Sequence, residues 1–227
     1  MFLQAAAQVI TPENQEQVFS FWKIMFHGNV FANIVMITVL ILGIFSFYIF
    51  LERLFYINRM VKIDDNNLMN NVKDLLNQGR VDAAIDYCTR QNTPDARILE
   101  KGITRIGRPI SDIVSAMENQ AQIEVSKLEK NLNLLAAVPS LAPMLGLLGT
   151  VIGLIMAFFS MSNAEGSFSP KTLSEGIYTA LGQTAMGLAV AIPANFFYNL
   201  LLTRIDKFVL KVQHLSTDFL DIINKPS

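Results

Sequence analysis

The chain has 227 residues, of which 52% are hydrophobic and only 16% charged, with a mean hydropathy of +0.37; soluble domains average about 25% charged. A net charge of −1 excludes the broad basic field that gathers nucleic acid. A single cysteine, Cys88, excludes an intrachain disulfide, and without HExxH, CxxC or Walker spacings neither metal-dependent hydrolysis nor nucleotide binding has support.

The N-terminal segment, 1–27, does not read as a cleavable signal: residues 2–10 are short and lack a basic flank. Thr11 as N-cap, Pro12 at the first helical position and Glu13 in the first turn predict a helix start. Phe19, Phe21, Trp22 and Phe26 with Lys23 then suit a membrane interface, or equally a helix packed on a bundle.

Three stretches carry no Asp, Glu, Lys or Arg: 28–51, 131–164 and 176–203. Each is long enough to cross a hydrocarbon core of roughly 30 Å at about 1.5 Å per helical residue. The expected fold is an all-α polytopic membrane protein with three transmembrane helices. Two of these are long and extend into the cytoplasm, beside a helical cytoplasmic domain at 52–130. A periplasmic loop at 165–175 and a tail helix at 204–227 complete the plan. One Lys or Arg precedes the first span, twelve lie between the first and second, one (Lys171) between the second and third, and four follow. This bias puts 52–130 and the tail in the cytoplasm, and the N-terminus and the 165–175 loop outside.

Within 52–130, Asp64 or Asp65 caps a helix through Leu68, Val72, Leu75 and Leu76 that ends near Gly79. A second short helix, 81–90, turns Ala84, Ile85 and Cys88 inward, with Cys88 as a packing thiol. Asn92-Thr93-Pro94-Asp95 marks another stop and start. A third helix carries Ile98, Ile103 and Ile106 to Gly107. From Ser111, read as an N-cap, no breaker occurs until Pro139. One helix is therefore expected to run from the cytoplasm into the second span, with Ile113, Met117, Ile123, Leu128 and Leu132 on one side and Glu118, Glu124 and Lys127 elsewhere.

The second span carries Gly146, Gly149, Gly153 and Ala157 on one face, and the third carries Gly176, Ala180, Thr184, Gly187 and Ala191. Small residues let helix backbones approach closely, so these stripes predict helix packing. Thr150 lies on the edge of the first stripe; Thr179 and Gln183 flank the second. A lone Thr in a membrane helix can bond its own i−4 carbonyl, but Thr150 and Thr184 on small-residue faces suggest a shared lumen. Pro139, Pro143 and Pro193 are expected to kink these helices and free carbonyls. No span interior carries an Asp, Glu, Lys, Arg or His of the kind a lone ion transporter uses.

The segments Ala142-Pro143-Met144-Leu145-Gly146-Leu147-Leu148-Gly149-Thr150 and Gly176-Ile177-Tyr178-Thr179-Ala180-Leu181-Gly182-Gln183-Thr184-Ala185-Met186-Gly187, followed by Ala191-Ile192-Pro193-Ala194, resemble the MotA/TolQ/ExbB proton-channel family, in its ExbB/TolQ branch. The motif match covers about 130–200, and the topology resembles the family throughout.

The resemblance implies a pentamer around a dimer of single-span partners of the ExbD or TolR kind, whose membrane Asp carries protons. It also implies that proton motive force drives work delivered to a periplasmic TonB- or TolA-like protein at a bacterial inner membrane. Thr150 and Thr184 match lumen-facing threonines of the family, and Thr179 and Gln183 flank that ion pathway. No cofactor is implied beyond the transported ion, H+ or Na+. One position departs: relatives carry Glu where this chain has Thr179, with Glu175 one turn earlier. That departure favours an alternative, a non-conducting membrane scaffold for a partner. A lone transporter lacks converging polar groups, the flagellar stator branch has four spans, and no catalytic constellation supports an enzyme.

Overall fold

The computed structural model describes residues 30–61, 66–163 and 170–224. The expected N-terminal helix and interfacial aromatics, the Asp64 or Asp65 cap and residues 164–169 lie outside them. Every regular element among the described residues is an α-helix: α1 (Val30–Met60), α2 (Asn66–Asn77), α3 (Val81–Gln91), α4 (Pro94–Ile103), α5 (Ile110–Leu128), α6 (Leu132–Ser162) and α7 (Pro170–Ile223). Three of them, α1, α6 and α7, are long and apolar enough to cross a membrane.

The chain divides into two compact units. The membrane unit comprises the described residues of 30–47, 136–163 and 170–195. The second unit comprises those of 48–135 and 196–224. Their cores differ in chemistry. The second unit buries large side chains, among them Phe208, Phe219, Ile98, Leu99 and Met117, as a fold driven by water does. In the membrane unit α1 buries Val35, Met36 and Val39, whereas α6 and α7 bury mainly small residues, Ala142, Ala180, Ala191 and Ala194, and Ile41, Ile44, Met144, Leu147, Ile155 and Phe159 are exposed. Small residues between α6 and α7 with large apolar groups outside suit helices surrounded by lipid, where packing rather than water exclusion joins them.

Helix α7 shows the change within one element. Its buried positions in the membrane unit are Ala180, Gln183, Gly187, Ala191 and Ala194. On the same stripe the second unit then buries Leu201, Ile205, Phe208, Val212, Leu215 and Phe219. The third span and the tail are thus one helix of 54 residues, far more than the roughly 20 needed to cross a bilayer.

Local signals set the short helices. α2 closes on Gly79, whose φ of +72° lets Gly79 N–H and Arg80 N–H reach the carbonyls of Leu76 and Leu75. α3 buries Ala84 and Cys88. Thr93 caps α4 by accepting a hydrogen bond from Ala96 N–H, and Pro94 fills the first helical position.

Several expectations fail. The helix from the cytoplasm into the second span is interrupted: α5 ends at Leu128, α6 starts at Leu132, and Asn131 takes a left-handed φ of +64°. Asn tolerates that conformation because its short polar side chain bonds locally. Leu128, Leu132 and Leu135 are all buried in the same core, so packing on both sides of the break stabilises it. α5 begins at Ile110 after Pro109, and Ser111 is not its cap. α4 stops at Ile103, which leaves Ile106 exposed; Ile123 is exposed as well. Glu124, placed on the polar side of α5 by its spacing, is buried. The expected 165–175 loop is shortened, because α7 starts at Pro170. Apart from these, Pro139 and Pro143 lie inside α6 and Pro193 inside α7, the helices in which they were expected.

Candidate functional site

The site is built from the facing stripes of α6 and α7. A Cβ placed on Gly146 would lie 2.9 Å from the Gln183 carbonyl oxygen and 3.0 Å from Thr184 Cα. One on Gly187 would lie 2.6 Å from the Ala142 carbonyl oxygen. One on Gly153 would meet Ala180 Cβ at 2.9 Å, and one on Gly176 would meet Ala157 Cβ at 2.6 Å. The pairs run in opposite directions along the two helices, as in an antiparallel packing. Each glycine is required by the absence of a Cβ, since helix propensity alone disfavours it by about 1 kcal/mol against Ala. α1 joins α7 through Gly43, where a Cβ would lie 3.2 Å from Val190 Cγ2.

The polar residues singled out from sequence lie along this seam with different fates. Thr150 is 8% exposed, and its hydroxyl donates to the Leu147 carbonyl at 2.7 Å. The half-buried Thr179 donates to the Glu175 carbonyl at 2.8 Å. Both hydroxyls therefore spend their proton on their own helix. Thr184 does not: its Oγ1 is enclosed and has no hydrogen-bond partner. Gln183, 3% exposed, lies across Gly149, and a Cβ there would overlap its Oε1, which also has no partner. Thr184 and Gln183 stand beside Gly146 and Gly149. Ala157 and Gly176 close one end of the seam, and Ala142, Gly187 and Ala191 the other.

Ser46 is a buried polar residue of the membrane unit that the sequence reading missed. Ser46 on α1 is 2% exposed and its Oγ has no partner. Its signal was its spacing: it falls on the stripe of Ala32, Val35, Met36 and Val39, the buried face of α1. Among the described residues no group of His, Cys, Asp and Glu is placed to hold a metal.

The second unit holds its charges differently. Arg97 Nε and Nη2 donate to the two oxygens of Glu124 at 3.0 and 2.7 Å, Lys127 Nζ donates at 2.9 Å, and Gln120 Nε2 at 2.8 Å. Burial opposes the charge on Glu124, but the hydrogen bonds from Arg97 and Lys127 outweigh it and hold the carboxyl below its ordinary range. The hydrogen bond to Glu124 raises Arg97 in turn. Lys211 of α7 pairs with the buried Asp95 of α4. Arg53, also buried, pairs with Glu52 at 3.0 Å. Burial, with a smaller effect of Glu100, raises the Cys88 thiol to about 12.

The description of the MotA/TolQ/ExbB proton channel family matches residues 90–214, more than half of the chain. An ExbB homologue of Methanothermobacter thermautotrophicus, described as a biopolymer transport protein, is 32% identical over 76% of this chain and 61% of its own length. The biopolymer transport protein ExbB of Aquifex aeolicus is 38% identical over 49% of this chain and 74% of its own. The Tol-Pal system protein TolQ of Haemophilus influenzae is 34% identical over 51% of this chain and 50% of its own. The chain thus spans between half and three quarters of the length of these relatives. With three membrane-length helices and a match that includes both α6 and the membrane part of α7, the chain is a multi-pass membrane protein belonging to the MotA/TolQ/ExbB proton channel family, in its ExbB/TolQ branch.

Proposed function

We propose that the chain is the channel-forming subunit of an ion-driven motor in a bacterial inner membrane. Five copies surround a dimer of a single-span, ExbD/TolR-like partner whose membrane Asp carries the ion, taken as H+. Proton motive force turns the partner within the pentamer, and the work reaches a TonB/TolA-like periplasmic protein that serves envelope transport. The N-terminus faces the periplasm, and 52–130 and the tail face the cytoplasm. No enzymatic step and no cofactor are involved.

One observation carries this reading. The buried polar side chains of the membrane unit, Ser46, Thr150 and Gln183, include no ionisable group among the described residues, yet the seam encloses polar atoms with no partner. A conducting path needs a titratable group, and here it must come from a second chain.

The test is co-expression with a single-span, Asp-bearing partner, followed by native mass spectrometry and proton flux in vesicles. Five copies plus two are expected. Thr150→Val and Thr184→Val should assemble normally and lower flux by about tenfold, the size of one lost hydrogen bond; Thr179→Ala should be milder. Wild-type flux in both valine variants would sink the assignment. The second reading, a non-conducting scaffold, draws on Thr179, whose hydroxyl is engaged by its own helix. It predicts the same assembly with no partner-dependent flux in the wild type.

A further inference from the structure

The link between α5 and α6 is broken where its own residues favour helix. Residues 126–135 contain no Gly or Pro and are rich in Leu, Lys and Glu, which are strong helix formers. Yet Asn131 takes a left-handed φ of +64°, and among the described residues the N–H groups of Lys130 and Asn131 reach no backbone carbonyl. Leu132 N–H turns back to the Glu129 carbonyl at 2.9 Å. Burial of Leu128, Leu132 and Leu135 anchors both helices, but their spacing also suits one face of a continuous helix. A contact that favours the broken form must therefore tip the balance.

Arg53 of α1 makes such a contact. In a continuous helix the Lys127 carbonyl would accept from Asn131 N–H; here it faces Arg53 Nη1 at 3.5 Å. That distance is long for a hydrogen bond. A cation beside the last carbonyls of a helix is also held by the helix dipole, however, and that attraction requires α5 to end there. Arg53 is 4% exposed. Its Nη2 pairs with the exposed Glu52 at 3.0 Å, and its Nε has no partner. The buried charge is thus incompletely matched by Glu52, and the end of α5 completes it. The Lys127 side chain is fixed as well: its Nζ donates to Glu124, which Arg97 of α4 grips. Lys127 is held by its backbone from α1 and by its side chain from α4.

We propose that the α5–α6 link is a two-state joint, broken or continuous, and that Arg53 is the positioning residue that selects the broken form. With Arg53 in place, α5 and α6 are separate rods. Without it, Asn131 N–H reclaims the Lys127 carbonyl and residues 110–162 become one helix. The joint rests on contacts within the second unit and is independent of the motor reading.

Hydrogen–deuterium exchange of the purified full chain, read by mass spectrometry on peptides covering 129–135, tests this. In the wild type the Lys130 and Asn131 amides should exchange fast. Arg53→Met should slow them by about tenfold, because each gains a helical hydrogen bond, with oligomer mass unchanged. Arg53→Lys, which keeps the cation, should match the wild type. So should Arg53→Met combined with Asn131→Gly, because glycine takes a positive φ without steric cost and restores the break. If Arg53 only held the unit together, its loss would speed exchange. An Arg53→Met chain that exchanges as fast as the wild type or faster, an Arg53→Lys chain as slow as Arg53→Met, or a double variant that stays slow overturns the proposal. Should Arg53→Met fail to fold, Asn131→Ala tests the joint from the other side. Alanine resists the left-handed φ and favours helix, so exchange should again slow; no change would overturn the two-state joint.

Discussion

Replacing Gly187 by alanine puts a methyl group where the α6 backbone already lies. The new Cβ would stand 2.6 Å from the Ala142 carbonyl oxygen and 3.3 Å from Gly146 Cα. Both are helix backbone atoms, so no rotamer change relieves the overlap. The two helices must part by about 0.8 Å to restore an ordinary contact of 3.4 Å. Overpacking of this kind costs about 1–3 kcal/mol, while the gain in helix propensity returns about 1 kcal/mol. The expected net loss is up to about 2 kcal/mol, roughly 30-fold in the folded population.

Gly153→Ala offers the internal control. Its Cβ would meet a methyl group, Ala180 Cβ, at 2.9 Å, so Ala180→Gly in the same chain makes room. Thermal unfolding of the purified protein in one detergent, followed by circular dichroism, reads the effect. Gly187→Ala should lower the midpoint and Ala142→Gly should not restore it, because the clash is with a carbonyl. Gly153→Ala should lower the midpoint and Ala180→Gly should recover most of the loss. A higher midpoint for Gly187→Ala, as helix propensity alone dictates, or no recovery at position 153, would refute the register of the seam.

Other predictions concern the second unit. Glu124 has its folded pKa lowered, so its ion cluster contributes fully above the unfolded carboxylate value of about 4.3 and is lost as pH falls through the folded value. Midpoints measured from pH 7 down to 3 should therefore drop more steeply in the wild type than in Glu124→Gln, and parallel curves would contradict this. Arg97→Ala should destabilise more than Lys127→Ala, since Arg97 grips both Glu124 oxygens whereas Lys127, half exposed, holds one; equal midpoints would count against that ranking. Cys88, enclosed and raised to about 12, should resist iodoacetamide at pH 8 in the native protein and react on unfolding. Thr93→Ala should cost about 1 kcal/mol by removing the α4 cap, seen as a lower midpoint with unchanged oligomer mass.

The membrane helices were legible because lipid imposes a simple rule: a charge-free run long enough to cross must be a helix. The seam was half legible. Periodicity put Gly146, Gly149 and Gly153 on one face and Ala180, Thr184 and Gly187 on another, but not which atoms oppose which. The helix end at Gly79 and the stop and start at Asn92-Thr93-Pro94-Asp95 were legible because they rest on the local backbone preferences of Gly and Pro. The break at Asn131 was not legible, since Asn is compatible with both helical and left-handed backbone, and the burial of Leu128, Leu132 and Leu135 on both sides of it is a matter of tertiary packing. Glu124 was misplaced for a related reason. A carboxylate is buried only where donors converge, and Arg97 lies 27 residues away in sequence.

By itself, then, the sequence determined the all-α class, the three membrane-length helices and the small-residue faces. These follow from local chemistry: charge per residue, helical period and the space a side chain occupies. Only the tertiary structure decided which hydroxyls are spent on their own helix and which are not. Thr150, Thr179 and Thr184 look alike as letters, and only the fold encloses Thr184 Oγ1 and Gln183 Oε1 without a hydrogen-bond partner. Hydrogen-bond satisfaction depends on what lies across the seam, and a linear sequence does not encode that atom by atom.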